Sequence, residues 1–436
     1  MTEWIGETFT SETGWKHLEQ LVDLGNRMAG TEGEREGAEL TRDALEAAGA
    51  RDARLEPFDI QGWERVDSAI EADETTQESI ALPRSPEGEV TAELVDVGYG
   101  LPEDFEDADL EGKVVMADTF VPDWFERYIH RTEKYYRAVQ AGAAAFVYRN
   151  HVEGGLPPTG SVGRDEQPIG EIPAVGVSTE VGSRLARRFD GESVTVTVDA
   201  DIYEAESYNV HAALGPETDE QVLVTSHVDA HDIAEGAMDN GAGTAMVVQV
   251  AEALAAREDE LDTRVHFVAY GAEEVGLCGS EHHAEETDFE TVKAVVNNDG
   301  VVRGRTLSFA CHGFDTLAAA AEAVGERFDH PVRTNPQQGP HSDHWPFVRW
   351  GVPGYHVMSE TGSDGRGWGH TEADTIDKLE SRDLREQAVL LSELVVDIAD
   401  DGTEIDHKDA EEIAAALEAE DHDAAMKLMD EWPYDD

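Results

Sequence analysis

Five stretches of this chain put acidic residues or histidines directly after apolar runs. They are SHVDAHD (His227, Asp229), EGAMDNGAG (Asp239), GAEEVGLCGS (Glu273, Glu274), VVNNDG (Asp299) and GWGHTEADT (His370). With 95 Asp+Glu and 17 His in 436 residues, any one of them alone reads as an ordinary solvated group. The repetition carries the information. An acid at the end of an apolar strand, under a layer of helices, is costly unless it is paired or metal-bound. Adjacent Glu273 and Glu274 repel each other, and a cation resolves that conflict by taking one as ligand and leaving the other as a base. Imidazole combined with carboxylate suits zinc, with cobalt or manganese as substitutes. Two Zn2+ ions that share one carboxylate, each with one further His and one further carboxylate, need two histidines and three acids. His227, Asp239, Glu274, Asp299 and His370 meet that count.

The elements that must position these residues alternate between strand and helix from residue 220 onward. QVLVTSH, RVHFVAYG, VKAVVNND, TLSFACH and VPGYHVM read as apolar strands, and TAMVVQVAEALAARE, DTLAAAAEAVGERF and SRDLREQAVLLSELVVDIA as helices. Apolar strands separated by helices predict an α/β fold with a mainly parallel central sheet covered on both faces. Ligands in such sheets collect beyond the C-terminal strand ends, which is where the five stretches fall. Residues 14–28 and 34–49 have helical spacing, and 53–72 alternates as a strand should. Residues 73–200 form a smaller mixed α/β module, with EVTAELVDVG, GKVVMAD and SVTVTVDA as strands and no His/Asp/Glu cluster at ligand spacing. The expected organisation is a discontinuous catalytic domain over 1–72 and 201–400, the 73–200 insert, and an acidic, peripheral tail over 401–436 with a weak helical pattern in AEEIAAALEAEDHDAAMKLM.

Composition excludes several classes. Lys+Arg number 32 against 95 Asp+Glu, a formal net charge of -63. Nucleic acids and anionic membranes would be repelled over most of such a surface. Hydrophobic residues at 40% and 8 Trp supply the apolar surface that a disordered acidic chain lacks. Self-repulsion of this size suits concentrated salt, where the screening length falls to roughly 3 Å at 1 M. The expectation is a halophilic protein. Cys278 and Cys311 lie in apolar surroundings and read as buried free thiols rather than a disulfide framework. The N-terminus has no basic or apolar leader, and no apolar run of about 18 residues occurs, so a cytoplasmic location is expected.

HVDAHDIAEGAMDNGAGTA, AYGAEEVGLCGSEHH, NNDG, HSDHWPF with GVPGYH, and HTEADTIDKL follow one another as they do in the co-catalytic di-zinc exopeptidases. The chain therefore resembles the zinc aminopeptidase family that also contains carboxypeptidase Q and glutamate carboxypeptidase. DLGNRMAGTEGEREGAELTRDALEAAGA is similar to that family's N-terminal helices. LEGKVV, AGAAAFVYRN and IPAVGVS resemble a protease-associated domain. The resemblance implies that Asp239 bridges two ions, that His227 and Asp299 complete one shell, and that Glu274 and His370 complete the other. It implies Glu273 as general base and Asp229 as the residue that orients His227. Peptides are the implied substrates, cleaved near a terminus, most simply as an aminopeptidase. The 12-residue interval from His227 to Asp239 and the HDI and GAMD segments are closer to carboxypeptidase Q, so a carboxypeptidase or dipeptidase of the same family is the alternative, ahead of a glutaminyl cyclase-like enzyme or a catalytically dead binding protein. Some relatives carry a tyrosine before the SDH block to steady the oxyanion. Here QQGPHSDH has none, and His341 is the residue nearest that role. His344 is expected to line the site without ligating. His282, His283, His312, His330 and His356 read as surface or satisfied interior groups. Oligomeric state has no signal in the sequence.

Overall fold

The computed structural model describes residues 3–164, 167–360 and 368–434. Two long strands organise it. β1 (Arg51–Ala72) and β8 (Ser193–Leu214) pair antiparallel along nearly their whole length, from Arg51↔Ala213 to Ala72↔Val194. Short β2 (Thr75–Gln77) folds back on the end of β1. The outer half of β8 pairs with β4 (Gly88–Asp96), and from there β5 (Val114–Asp118), β6 (Ala145–Arg149) and β7 (Ala174–Val177) continue in parallel, closed by antiparallel β3 (Ile80–Ala81). Val194, Val196, Val198 and Ala200 of β8 pack with Leu94, Val114, Met116, Val147 and Val175 to form the core of this smaller lobe.

The inner half of β8 pairs antiparallel with β10 (Arg264–Tyr270). β10, β9 (Gln221–His227), β11 (Val292–Asn298) and β14 (Gly354–Ser359) then run parallel to one another. Antiparallel β12 (Leu307–Ala310), with β13 (Val332–Asn335), closes that edge. The parallel expectation thus holds at the centre of the larger lobe, while both flanks are antiparallel. The reason is visible in burial. β9, β10 and β11 are buried at almost every position, as strands covered on both faces must be. Helix Ala242–Ala255 supplies one cover and is itself buried nearly all round, and helix Ser381–Ala399 packs against it.

Residues 401–436 depart from the expected peripheral tail. Ala410–Ala419 and Asp423–Met429 are helices, and Ile413, Leu417, Met426 and Met429 are buried. Met429 and Ala425 lie in the core of the smaller lobe beside Tyr135 and Tyr136. The weak helical pattern of AEEIAAALEAEDHDAAMKLM is realised, and its thin apolar stripe packs inward instead of lying at the periphery. Cys311 is buried as expected, whereas Cys278 is partly exposed, 3.7 Å from Arg84 Nη2. Among the described residues no helix is long and apolar enough to cross a membrane.

Candidate metal centre

The residues singled out in the sequence gather at the C-terminal ends of β9, β10 and β11. His227 is the last residue of β9, Glu273 and Glu274 follow β10, and Asp299 follows β11. Asp239 sits in the turn Ala237–Gly241 that leads into helix Ala242–Ala255. His370 has a left-handed φ of 56°.

Two groups form around Asp239. His227, Glu273 and Asp299 bring donor atoms within 4.8 Å of one another, and so do His231, Glu274 and His370. Asp239 faces both: its Oδ1 is 3.5 Å from His227 Nε2 and its Oδ2 is 3.1 Å from His370 Nε2. On the first side His227 Nε2 is 3.8 Å from Asp299 Oδ1 and 3.9 Å from Glu273 Oε2. On the second, Glu274 Oε2 is 3.3 Å from His370 Nε2 and 2.9 Å from His231 Nε2.

The loops carrying these groups are held by buried charges. Asp229 accepts the backbone N–H groups of Glu273 and Glu274, both at 3.1 Å, and its Oδ1 lies 3.3 Å from His227 Nδ1. Asp374 does the same for the other loop, accepting from the N–H groups of Met238 at 2.8 Å and Asp239 at 3.0 Å. The Arg27 guanidinium donates to the carbonyls of Val228, Glu235 and Gly236, which fixes the segment between His227 and Asp239. Burial lowers its pKa to about 10, so it stays charged.

The electrostatics call for a cation. Burial opposes protonation of His227, yet Glu273, Asp229 and Asp299 hold its pKa well above the ordinary value. Burial raises Glu273 far above a normal carboxyl, with Glu274, Asp343 and Asp299 adding to the effect. Burial also pushes Asp343 up to about 8. Against the same desolvation, Glu274 is held low by His231 and His370, and Asp299 by His227 and His356. His227 Nε2 and Glu274 Oε1 are buried without a hydrogen-bond partner among the described residues. Orphaned donor atoms of imidazole and carboxylate chemistry beside Asp239 fit zinc.

This floor opens into a cavity of about 500 Å³. Tyr128, His130, Arg131 and Arg164 of the smaller lobe line its roof, and Glu431 of the C-terminal segment lines one side. The smaller lobe also grips one candidate ligand: Thr159 N–H donates to the His370 carbonyl at 2.8 Å, and Arg131 Nη1 is 3.5 Å from His370 Nδ1. His341 lines the cavity, stacked on His130 at 4.2 Å, and burial depresses its pKa to about 3. His344 is buried between His312 and His356, with Nε2 3.0 Å from the Gly339 carbonyl, and is not among the residues lining the cavity. His356, expected to be an ordinary histidine, lines the cavity instead and lies 3.6 Å from Asp299 Oδ2.

Sequence reasoning missed His231, Asp374 and Arg27. His231 carried a signal, since HVDAH places a third polar residue at alternating spacing after the strand. Asp374 and Arg27 act on backbone groups and leave no such trace.

Residues 209–395 match the model of peptidase family M28, and residues 90–185 match the PA domain. Aminopeptidase YwaD of Bacillus subtilis is 27% identical over 410 residues, covering 89% of this chain and 84% of that protein. Leucine aminopeptidase 2 of Arthroderma otae is 28% identical over 288 residues, covering 63% of this chain. Carboxypeptidase Q of Bos taurus is 28% identical over 301 residues, covering 64% of this chain. The chain spans 54% of the length of the Arthroderma protein and 63% of the bovine one. In structure, an M28 peptidase precursor of Shewanella amazonensis superposes with a TM-score of 0.75 at 23% identity, over 93% of this chain and 97% of that one. A zinc aminopeptidase of Bacillus subtilis gives 0.70 at 24%, over 89% and 94%. The structural likeness is one of fold.

Proposed function

We propose that this chain, a zinc-dependent metallo-exopeptidase of family M28 with an inserted PA domain, is a two-zinc aminopeptidase acting on short peptides and free chain ends. The observation that carries this reading is Asp239, one carboxylate turned toward two His–carboxylate groups on the floor of a roofed cavity. His227 and Asp299 would hold one ion, and Glu274 and His370 the other, with His231 against Glu274. Bound zinc supplies Lewis acidity toward the scissile carbonyl and acidifies water. Glu273, beside His227 and raised in pKa by burial, takes the proton of the attacking water and returns it to the departing amine. Asp229 and Asp374 keep the two ligand loops in register through four backbone N–H groups. The roof formed by the smaller lobe restricts entry to chain ends.

One observation favours the opposite polarity. Arg303 lines the cavity with no ion pair among the described residues, and a guanidinium so placed suits a free α-carboxylate. A peptide panel with either terminus blocked decides the matter: loss of cleavage on N-blocking alone means aminopeptidase, and loss on C-blocking alone means carboxypeptidase.

The charge of -63 supports a halophilic protein whose fold needs screening. Its thermal midpoint should rise between dilute buffer and molar KCl, and an unchanged midpoint counts against that reading.

A further inference from the structure

A second convergence of ring nitrogens lies on β8, β10 and helix Cys278–Glu286, and none of its residues belongs to the centre described above. His211, His266 and His283 are buried, and one nitrogen of each lies within 4.8 Å of the other two. The β8–β10 register sets His211 opposite Val268 and His266 opposite Ala213, so the two rings are diagonal neighbours on one sheet face. His211 Nδ1 and His266 Nε2 are 3.0 Å apart.

The other nitrogen of each ring is held from outside by oxygen. Glu56 Oε2 lies 2.9 Å from His211 Nε2, Gln221 Oε1 lies 3.2 Å from His266 Nδ1, and the Tyr270 hydroxyl lies 2.9 Å from His283 Nδ1. Imidazoles that ligate metals carry this kind of outer partner, which fixes the tautomer and turns the lone pair inward. The proton count sharpens the point. The Glu56 carboxylate, held down to about 2 chiefly by His211, only accepts, so His211 carries its proton on Nε2 and a lone pair on Nδ1. The Gln221 carbonyl oxygen also accepts, which leaves a lone pair on His266 Nε2. Two lone pairs then face each other across 3.0 Å and repel unless a cation lies between them. Burial disfavours a proton there, lowering His211, taking His266 well below its ordinary value and His283 to about 3.

We propose that His211, His266 and His283 form a structural site for a borderline divalent metal ion, zinc being the probe of choice, separate from the co-catalytic centre. Three neutral imidazoles are suitable ligands for such an ion. Glu56, which faces His211, also brings a donor within 4.8 Å of donors of His282 and the exposed Glu286. The bound ion ties β8, which is common to both lobes, to β10 and to the helix that follows the Glu273–Glu274 loop. The competing arrangement needs no ion: a rotated Gln221 amide donates to His266 Nδ1, and His266 Nε2–H donates to His211 Nδ1.

The test is zinc content per chain after saturation and removal of unbound metal, on the full-length protein in high salt. His283→Gln and His266→Gln should each lose about one equivalent, in the otherwise unchanged protein and in the Asp239→Ala background alike. Peptidase turnover should persist in the single variants, which separates this site from the co-catalytic one. Zinc content equal to the parent's in both variants overturns the proposal. Anomalous scattering at the zinc edge from crystals of the unaltered protein is independent of how the variants fold. A peak beside His211 Nδ1 and His266 Nε2 is the expected result, and its absence after zinc soaking overturns the proposal in favour of the rotated amide.

Discussion

Both lobes end parallel strands with acidic residues, yet they neutralise them in opposite ways. In the smaller lobe, β4 and β5 end at Asp96 and Asp118, and the adjacent β6 ends at Arg149. That guanidinium reaches Asp118 at 2.8 Å and Asp96 at 3.5 Å. Buried Glu133 is likewise clasped by Arg127 and Arg137, both at 2.7 Å. In the larger lobe the acids beyond β9, β10 and β11 face histidines, which neutralise them only when protonated or when metal takes the proton's place. An acid after an apolar strand therefore means little by itself. The neighbour that answers its charge decides whether the strand end is scaffold or chemistry.

The contrast breaks most severely at Asp239. Asp239→Ala should abolish turnover and lower occupancy of both metal positions in the co-catalytic centre, measured as zinc per chain. Full retention of one of those two ions would remove the bridging assignment. Glu273→Gln should preserve both ions and the fold while lowering kcat by a factor on the order of 10²–10⁴, the usual contribution of a positioned general base. A variant that loses metal and regains its rate with added zinc would exchange the roles of Glu273 and Glu274. Asp374→Asn weakens the hold on the N–H groups of Met238 and Asp239, so it should weaken zinc affinity by roughly 10–100-fold, as loss of an outer partner does; equilibrium competition with a chromogenic chelator reads this. In the smaller lobe the sign of the experiment changes. Arg149→Met leaves Asp96 and Asp118 without their partner and should cost about 1–3 kcal/mol of stability, less than the roughly 3–5 of a fully buried pair because all three side chains keep some solvent contact. A thermal melt would show this loss, with zinc content and short-peptide turnover unchanged.

The sequence exposed the parts of this arrangement that depend on local pattern. Apolar strands followed by Gly, Asp and Glu marked β9, β10 and β11 and the acids beyond them, because strand burial and strand ends are both local properties. His231 escaped because an imidazole two residues past an aspartate is ambiguous until its distance to Glu274 is known. Asp374 escaped because its partners are amides, which every residue possesses. His211 and His266 each stand alone within an apolar strand, and only the β8–β10 register brings them together. In residues 401–436 the helical pattern was visible but its docking was not, since a stripe as narrow as Ile413, Leu417, Met426 and Met429 hardly alters an acidic composition.

The long β1–β8 ladder has a mechanical consequence. A hinge works where a few backbone torsions can swing freely, and here the lobes are joined by two paired strands whose hydrogen bonds run through both cores. The ladder shifts register partway along, between Arg65 and Asp67 of β1, so any relative movement of the lobes is a bend or twist of two paired strands rather than a swing about a free linker.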